Sequence, residues 1–102
     1  MRQVKIHLYD QWVGTLCKLP SGNYEFAYLA GYAGEPISHT LPLKDEPYVF
    51  DHFPAFFDGL LPEGFQLQSL LRIRKIDQSD YLSQLIATGA DMVGAVTVSE
   101  MP

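Results

Sequence analysis

Residues 53 to 65 read Phe-Pro-Ala-Phe-Phe-Asp-Gly-Leu-Leu-Pro-Glu-Gly-Phe and concentrate four phenylalanines and two leucines in one short segment. Gly59, Pro62 and Gly64 divide the segment into short pieces, because glycine and proline interrupt regular helices and strands. Such a density of large apolar side chains is typical either of a protein core or of a surface that binds another protein. The sequence patterns on both sides of the segment help to decide between a core and a binding surface.

Length and composition indicate one folded domain that spans residues 1–102. A chain of this size buries roughly 60 to 70% of its unfolded surface, and 47% of its residues are hydrophobic. No apolar stretch approaches the roughly 20 residues that cross a bilayer. The start, Met-Arg-Gln-Val-Lys-Ile-His, lacks the apolar centre of a secretion signal, so we expect a cytoplasmic protein.

The charge balance argues against direct binding of DNA or RNA. Seven basic and twelve acidic residues give a net charge of −5, which repels a phosphate backbone. The one basic cluster, Arg72, Arg74 and Lys75, is predicted to be the solvated end of a helix, with a binding patch as the alternative. Cys17 is the only cysteine, which excludes an internal disulfide, and we expect a buried reduced thiol.

Alternating apolar residues in the first half of the chain predict a sheet. Residues 4–8 alternate apolar and polar side chains, and Trp12 to Leu19 forms a second extended run. Residues 24–28 predict a third strand with one aromatic face. A fourth extended piece is predicted over Ile37 to Leu43, where Pro42 cannot donate a hydrogen bond and therefore favours a sheet edge.

The opening segment itself is predicted to contain a short helix. Asp51 is a candidate cap for a helix that runs through Phe57, and Gly59 suits the left-handed residue that would end it. Helical spacing directs Phe53, Phe56 and Phe57 toward the sheet, so we expect them in the core.

Two longer helices and a last strand complete the predicted fold. Residues 64–75 are predicted to form an amphipathic helix, and a third helix is predicted to begin at Asp77 or Ser79 and to end at Gly89. Val93 to Val98 predicts a buried strand. The expected inward residues of the two helices are Leu67, Leu70, Leu71, Leu82, Leu85 and Ile86. The result is an α+β domain, an antiparallel sheet of four to five strands with about three helices packed on one side.

The sequence contains no pattern typical of catalysis. His7, His39 and His52 lack metal-ligand spacing and lie beside no nucleophile motif. A glycine-rich phosphate loop and the metal-binding triplets of kinases are absent, so we expect no phosphoryl transfer by this chain. Asp58 and Glu63 flank the Gly-Leu-Leu-Pro turn, where helix ends account for both carboxylates without acid–base catalysis. We expect no catalytic, cofactor-binding or metal-binding residue.

Two segments closely resemble the amino-terminal domain of HipA-type toxin kinases. They are Phe56-Phe57-Asp58-Gly59-Leu60-Leu61-Pro62-Glu63-Gly64 and Gly89-Ala90-Asp91-Met92-Val93-Gly94-Ala95. Weaker agreement over residues 12–16 and 36–43 extends the resemblance over nearly the whole chain. In HipA-like kinases this domain precedes the catalytic lobes and packs against the amino lobe of the kinase. The resemblance therefore implies a domain that contacts a kinase without carrying out its chemistry.

No kinase sequence follows the domain here, which makes the chain similar to HipS, the separate small antitoxin of tripartite HipBST toxin–antitoxin systems. That resemblance implies neutralisation of HipT, a HipA-like serine/threonine kinase from a family that targets aminoacyl-tRNA synthetases. It also implies a helix-turn-helix protein, HipB, that binds the promoter and joins a ternary complex. The alternatives are a structural or activating subunit, a detached fragment of a HipA-type kinase, or a small enzyme or nucleic-acid binder.

The partner-binding residues are predicted around the Pro-Glu-Gly turn. Phe65 follows Gly64, which allows unusual backbone angles, and the ring could project as an anchor for a partner. The alternative is that Phe65 is the first buried residue of the second helix. The predicted binding residues are Asp58, Gly59, Leu61, Pro62, Glu63, Gly64 and Phe65.

Overall fold

The first half of the chain forms most of an antiparallel sheet, and the second half supplies the helices that pack against it. The computed structural model describes residues 2–89 and 95–101. In chain order the elements are β1 (Arg2–Leu8), β2 (Gln11–Lys18), β3 (Tyr24–Tyr28), β4 (Tyr48–Phe50), α1 (Ala55–Asp58), α2 (Gly64–Arg74), α3 (Tyr81–Gly89) and β5 (Val96–Glu100). This is the predicted α+β class, with five strands and three helices in that part of the chain. None of these described helices is long and apolar enough to cross a membrane.

The sheet has the strand order β4–β3–β2–β1–β5, and each neighbouring pair is antiparallel. Val4, Leu16 and Phe26 lie opposite one another on three adjacent strands, and each is fully buried. Lys5 follows Val4 in the chain and Thr15 precedes Leu16, and both of these side chains are only half-buried. Because successive side chains point to opposite faces of a strand, the period of two assigns the core to one face.

The close approach of β2 and β3 requires Gly14 in β2. Ile6 pairs with Gly14 and His7 pairs with Trp12, so Val13 is the extra residue of a β-bulge in β2, directly before the glycine. A Cβ atom at Gly14 would lie 2.7 Å from the carbonyl oxygen of Ala27 and 2.8 Å from the ring of Phe26. Any side chain at this position would therefore push β2 away from β3.

Aromatic side chains join the helical half of the chain to the sheet. Phe57 of α1 is fully buried against Phe26 of β3, with ring centroids 5.5 Å apart. Phe53 stacks on Tyr81 of α3, with centroids 4.6 Å apart. The prediction that Phe53 and Phe57 lie in the core is confirmed, and Phe56 is half-buried beside them.

The strand predicted over Ile37 to Leu43 is wrong, and the fourth strand lies instead at Tyr48–Phe50. The Tyr28 hydroxyl accepts the Ile37 N–H at 3.0 Å and donates to the Leu41 carbonyl oxygen. The Leu41 N–H closes a local turn of its own. Because a side chain and a turn already satisfy these backbone groups, the segment does not need a strand partner.

The first helix is shorter than predicted and starts differently. α1 begins after Pro54, which has φ −63° and no side chain that could cap the helix, whereas the Asp51 carboxylate contacts the His52 ring. The predicted cap from Asp51 is therefore wrong. Gly59 ends α1 with φ −65°, a right-handed conformation, so the left-handed residue predicted there is also wrong.

The third helix starts after both of the residues that were predicted to begin it. Asp80 Oδ1 accepts the Ser83 N–H at 3.2 Å, so Asp80 caps α3 rather than Asp77 or Ser79. Asp77 instead fixes the preceding turn, because its carboxylate accepts the Ser79 hydroxyl at 2.6 Å and the Ser79 N–H at 2.8 Å. These bonds hold the pKa of Asp77 below its usual value. Of the predicted inward residues of this helix, Leu82 and Leu85 are buried and Ile86 is half-buried.

The last strand and the cysteine differ in part from expectation. β5 spans Val96–Glu100, and residues 90–94, which carry most of the second resembling segment, lie outside the described residues. Cys17 is half-buried rather than buried, because its side chain lies on the sheet face opposite the core. Desolvation, and then the Glu25 carboxylate, raise the pKa of the Cys17 thiol. A protonated thiol remains the expected form.

We expect Gly14→Ala to destabilise the domain by about 1 to 3 kcal/mol, because the added methyl group overlaps backbone and ring atoms that cannot both move away. Gly59→Ala is the matched control. Its φ is −65°, and an added Cβ would meet the nearest atom only at 3.4 Å, so the melting temperature should not fall. Thermal unfolding of both variants tests the packing, and equal melting temperatures would contradict it.

Candidate functional site

The turn between α1 and α2 is fixed to the core by one leucine. Leu61 is 8% exposed, and its N–H donates to the Asp58 carbonyl oxygen at 3.1 Å. After Pro62 the backbone is extended at Glu63, and Gly64 then has φ 56°. Residues with a side chain rarely adopt that left-handed conformation, so glycine is the residue suited to begin α2 at this angle.

Phe65 has the most exposed large apolar side chain of the described residues, with 83% of its surface accessible. The alternative that Phe65 is the first buried residue of α2 is therefore wrong. The ring follows directly after the left-handed Gly64 and projects away from the core. Aromatic residues are enriched where proteins bind one another, so this position is a candidate contact.

α2 contains no buried residue, which departs from the amphipathic helix predicted for this segment. Leu67, Leu70 and Leu71, the predicted inward stripe, are only half-buried. Ile73 is 75% exposed. At 3.6 residues per turn, Phe65 and Ile73 lie on the side opposite Leu67 and Leu71. The helix therefore carries apolar side chains toward the domain and also toward solvent.

Opposite charges lie at the two ends of α2. Asp58 and Glu63 are exposed just before the helix. Arg72, Arg74 and Lys75 are exposed at its end, where Lys75 forms the left-handed C-cap with φ 55°. The basic cluster therefore occupies a solvated helix end, the position where cations favour the helix dipole.

A small cleft opens between this turn, α2 and α3. Its volume is about 290 Å³. Its lining consists of Asp58, Leu61, Pro62, Glu63, Gly64, Leu67, Gln78, Tyr81 and Gln84. Gln84 is 1% exposed, and its Nε2 donates to the carbonyl oxygens of Gln78 at 2.9 Å and Asp77 at 3.3 Å. The cleft thus combines two carboxylates with a buried amide that is held in one orientation.

The structure brings most of the predicted binding residues together. Those that line the cleft are Asp58, Leu61, Pro62, Glu63 and Gly64. Gly59 does not line it, and Phe65 lies on the exposed helix beside it. Sequence reasoning missed Ile73, although its helical position opposite the leucine stripe was a usable signal. It also missed Gln84, for which the sequence offered no signal.

His7 and His52 each contact one polar side chain, and neither contact is typical of a catalytic site. His7 Nε2 lies 2.7 Å from the Ser99 hydroxyl oxygen, and His52 contacts Asp51. Within residues 2–89 and 95–101, no three histidine, cysteine, aspartate or glutamate side chains are grouped as metal ligands would be. These contacts give no reason to assign catalysis to the histidines.

A larger cleft of about 650 Å³ lies among the loops beyond β3. Tyr28 and Tyr32 stack along it with ring centroids 5.9 Å apart, and the Tyr28 hydroxyl is already bonded to the loop backbone. The Lys44 ammonium, which also lines it, lies 4.0 Å from the centre of the Tyr48 ring. Because these polar groups serve the loop itself, the cleft beside α2 is the better candidate.

Known proteins are similar to this chain in sequence and in structure. The profile of the HipA N-terminal domain matches residues 4–99. A protein of Haemophilus influenzae described as uncharacterized is 32% identical over 100 residues, which are 98% of this chain and 93% of that protein. The solved N-terminal domain of HipA toxin is similar with a TM-score of 0.77 and 27% identity, over 100% of this chain and 94% of that one. The chain therefore belongs to the HipA N-terminal domain family.

Proposed function

We propose that this chain is a non-catalytic, cytoplasmic antitoxin that binds and neutralises a HipA-like serine/threonine kinase of the HipT type. The observation that carries the proposal is the 83% exposure of Phe65 on a helix that has no buried residue. A domain that packs beside a kinase keeps a contact face, and in a separate chain that face becomes an intermolecular interface. Membership of the HipA N-terminal domain family supports a kinase as the partner.

In this proposal Phe65 is the central anchor and inserts near the active-site cleft of the kinase. Leu61 holds the turn to the core, and the φ of Gly64 sets the direction in which α2 leaves it. Asp58 and Glu63 are exposed beside the anchor and form part of a polar rim. Obstruction of the cleft by the Phe65 ring would inhibit the kinase without any chemistry by the antitoxin.

A stable complex is the first expected result. When the chain is co-expressed with a HipA-like kinase that lacks its own N-terminal domain, the two should co-purify in a stoichiometric complex with reduced kinase activity. Size-exclusion chromatography at micromolar concentration and a phosphorylation assay measure both properties. Separate elution would contradict the partner, and a stoichiometric complex with raised kinase activity would favour an activating subunit instead.

Phe65→Ala should relieve inhibition without lowering the melting temperature. An exposed ring leaves no cavity when truncated, whereas loss of an interface anchor costs at least about 2 kcal/mol, or about 30-fold in affinity. Kinase binding and thermal unfolding of the variant are the measurements.

Two matched variants complete the test of Phe65. Val49→Ala, at a 61% exposed side chain on β4, should change neither property. Phe57→Ala should lose about 3 to 5 kcal/mol of stability, because that ring is fully buried. Full neutralisation by a folded Phe65→Ala variant would show that the inhibitory contact lies elsewhere.

The isolated chain should bind no ATP, because its sequence offers neither a phosphate-binding loop nor a metal-binding aspartate triplet. Calorimetry with ATP and magnesium measures this directly, with the partner kinase as the positive control. A saturable heat for the chain alone would overturn the non-catalytic proposal.

A further inference from the structure

We propose that α2 binds a second copy of this chain, so that two α2 helices pack antiparallel about a two-fold axis that passes Ser69. Phe65 of each copy then contacts Ile73 of the other, and the acidic start of each helix lies beside the basic end of the other. The dimer does not rest on the proposed function. Only the exclusion of the second copy by the kinase rests on it, because both would cover Phe65.

The exposed side of α2 carries one apolar ridge. Phe65, Ser69 and Ile73 follow one another at intervals of four residues, the spacing that aligns side chains along one side of a helix. Phe65 is 83% exposed and Ile73 is 75% exposed, and the small, half-buried Ser69 lies between them. When such ridges of two helices interdigitate, the side chains at the crossing point set the distance between the axes, roughly 8 to 10 Å. Ser69 therefore suits the crossing point, with one large apolar side chain on each side of it.

This ridge is complementary to itself when the second helix runs in the opposite direction. Phe65 and Ile73 each lie four positions from Ser69, so reversal about Ser69 places Phe65 of each copy opposite Ile73 of the other. Glu63 and Lys75 each lie six positions from Ser69 and become opposite in the same way. A parallel pair would instead place Glu63 beside Glu63 and Lys75 beside Lys75. The order of these residues thus fits the isologous contact of a two-fold dimer.

Opposite charges at the two ends of α2 favour the antiparallel orientation. Glu63 is exposed directly before the helix, whereas Arg72, Arg74 and Lys75 are exposed at its end. Within residues 2–89 and 95–101, no ion pair involves these four side chains. In the antiparallel dimer each acidic start meets a basic end, and the two helix dipoles also run in opposite directions. Charge pairs at the rim of an interface select its orientation more than they add affinity.

The dimer should be weak because the contact is short. α2 has 11 residues and is therefore roughly 16 Å long. A single helix face of this length covers less than the roughly 1,200 to 2,000 Å² that stable complexes bury. The net charge of −5 on each copy also opposes association. We therefore expect an equilibrium that shifts toward the monomer on dilution, so that the second copy leaves Phe65 when a tighter partner binds.

Sedimentation equilibrium of the isolated chain tests the dimer without the kinase. Between about 10 µM and 1 mM protein, the apparent mass should rise from that of the monomer toward that of the dimer. Phe65→Ala and Ile73→Ala should each weaken association by about tenfold or more, because a two-fold contact loses each side chain twice. Val49→Ala, at an exposed apolar side chain on β4, should leave association unchanged.

Charge reversal tests the antiparallel orientation. Glu63→Lys and Lys75→Glu should each weaken the dimer by about fivefold at low salt, because either change places like charges together at both ends of the contact. A mixture of the two variants should associate again, since opposite charges then meet at both ends. Glu46→Lys, at an exposed loop residue, makes the same change in net charge as Glu63→Lys and should not weaken the dimer.

A disulfide across the axis tests the crossing point. In a chain that carries Cys17→Ser, Ser69→Cys should give a disulfide-linked dimer with oxidised glutathione as the oxidant. Residues at the axis can meet the separation of roughly 4.4 to 6.8 Å between Cα atoms that a disulfide needs. Gln68→Cys, at the exposed neighbouring residue, points about 100° away around the helix and should crosslink about tenfold more slowly.

Several results would overturn the inference. These are a monomer at all concentrations up to about 1 mM, association that Phe65→Ala or Ile73→Ala leaves unchanged, association that Glu63→Lys leaves unchanged, or equal crosslinking through Gln68→Cys and Ser69→Cys. Kinase neutralisation by a chain that stays monomeric would remove the dimer alone. A dimeric chain that elutes apart from the kinase would support the dimer and remove the kinase as its competitor.

Discussion

Burial of Phe57 against Phe26 is the contact on which the second half of the fold depends. Both rings are fully buried, and their centroids are 5.5 Å apart. α1 has only four residues, far fewer than the roughly 12 to 15 that make an isolated helix even marginally stable, so this contact sets its position. Leu61 and the start of α2 follow directly in the chain, so the position of α1 also determines where they lie. The candidate binding surface is therefore placed by the core, although little of it is buried.

The packing of α2 differs from that of α1. It has 11 residues and none is buried, so neither its length nor a packed face makes it stable alone. The half-buried leucines and the neighbouring α3 hold it, whereas Phe65 and Ile73 add almost no burial in the isolated chain. Exposed apolar side chains promote unwanted association. Their presence on an otherwise weakly packed helix is accounted for if a partner covers them.

The sequence predicted the sheet well because burial on one face imposes a period of two, as Val4, Ile6 and Leu8 illustrate. It failed at residues 37–43, where a hydroxyl from β3 decides the backbone conformation through bonds that local patterns cannot reveal. Five of the predicted binding residues line one cleft, but their binding of a partner stays a prediction, and the sequence left the position of Phe65 open. Helical spacing gives two apolar sides for α2 and does not say which one turns inward. That choice depends on the φ of Gly64.

The predicted binding residues act in physically different ways. Leu61 and Gly64 determine where the surface lies, one through burial and the other through backbone conformation, so substituting either would disturb geometry and contact together. Phe65, Asp58 and Glu63 present the exposed groups. Because Leu61 is buried and its N–H is bonded to the Asp58 carbonyl oxygen, we expect a partner to order mainly the exposed side chains of the turn. The entropic cost of binding is thereby confined to a few rotatable bonds, which favours affinity from a small surface.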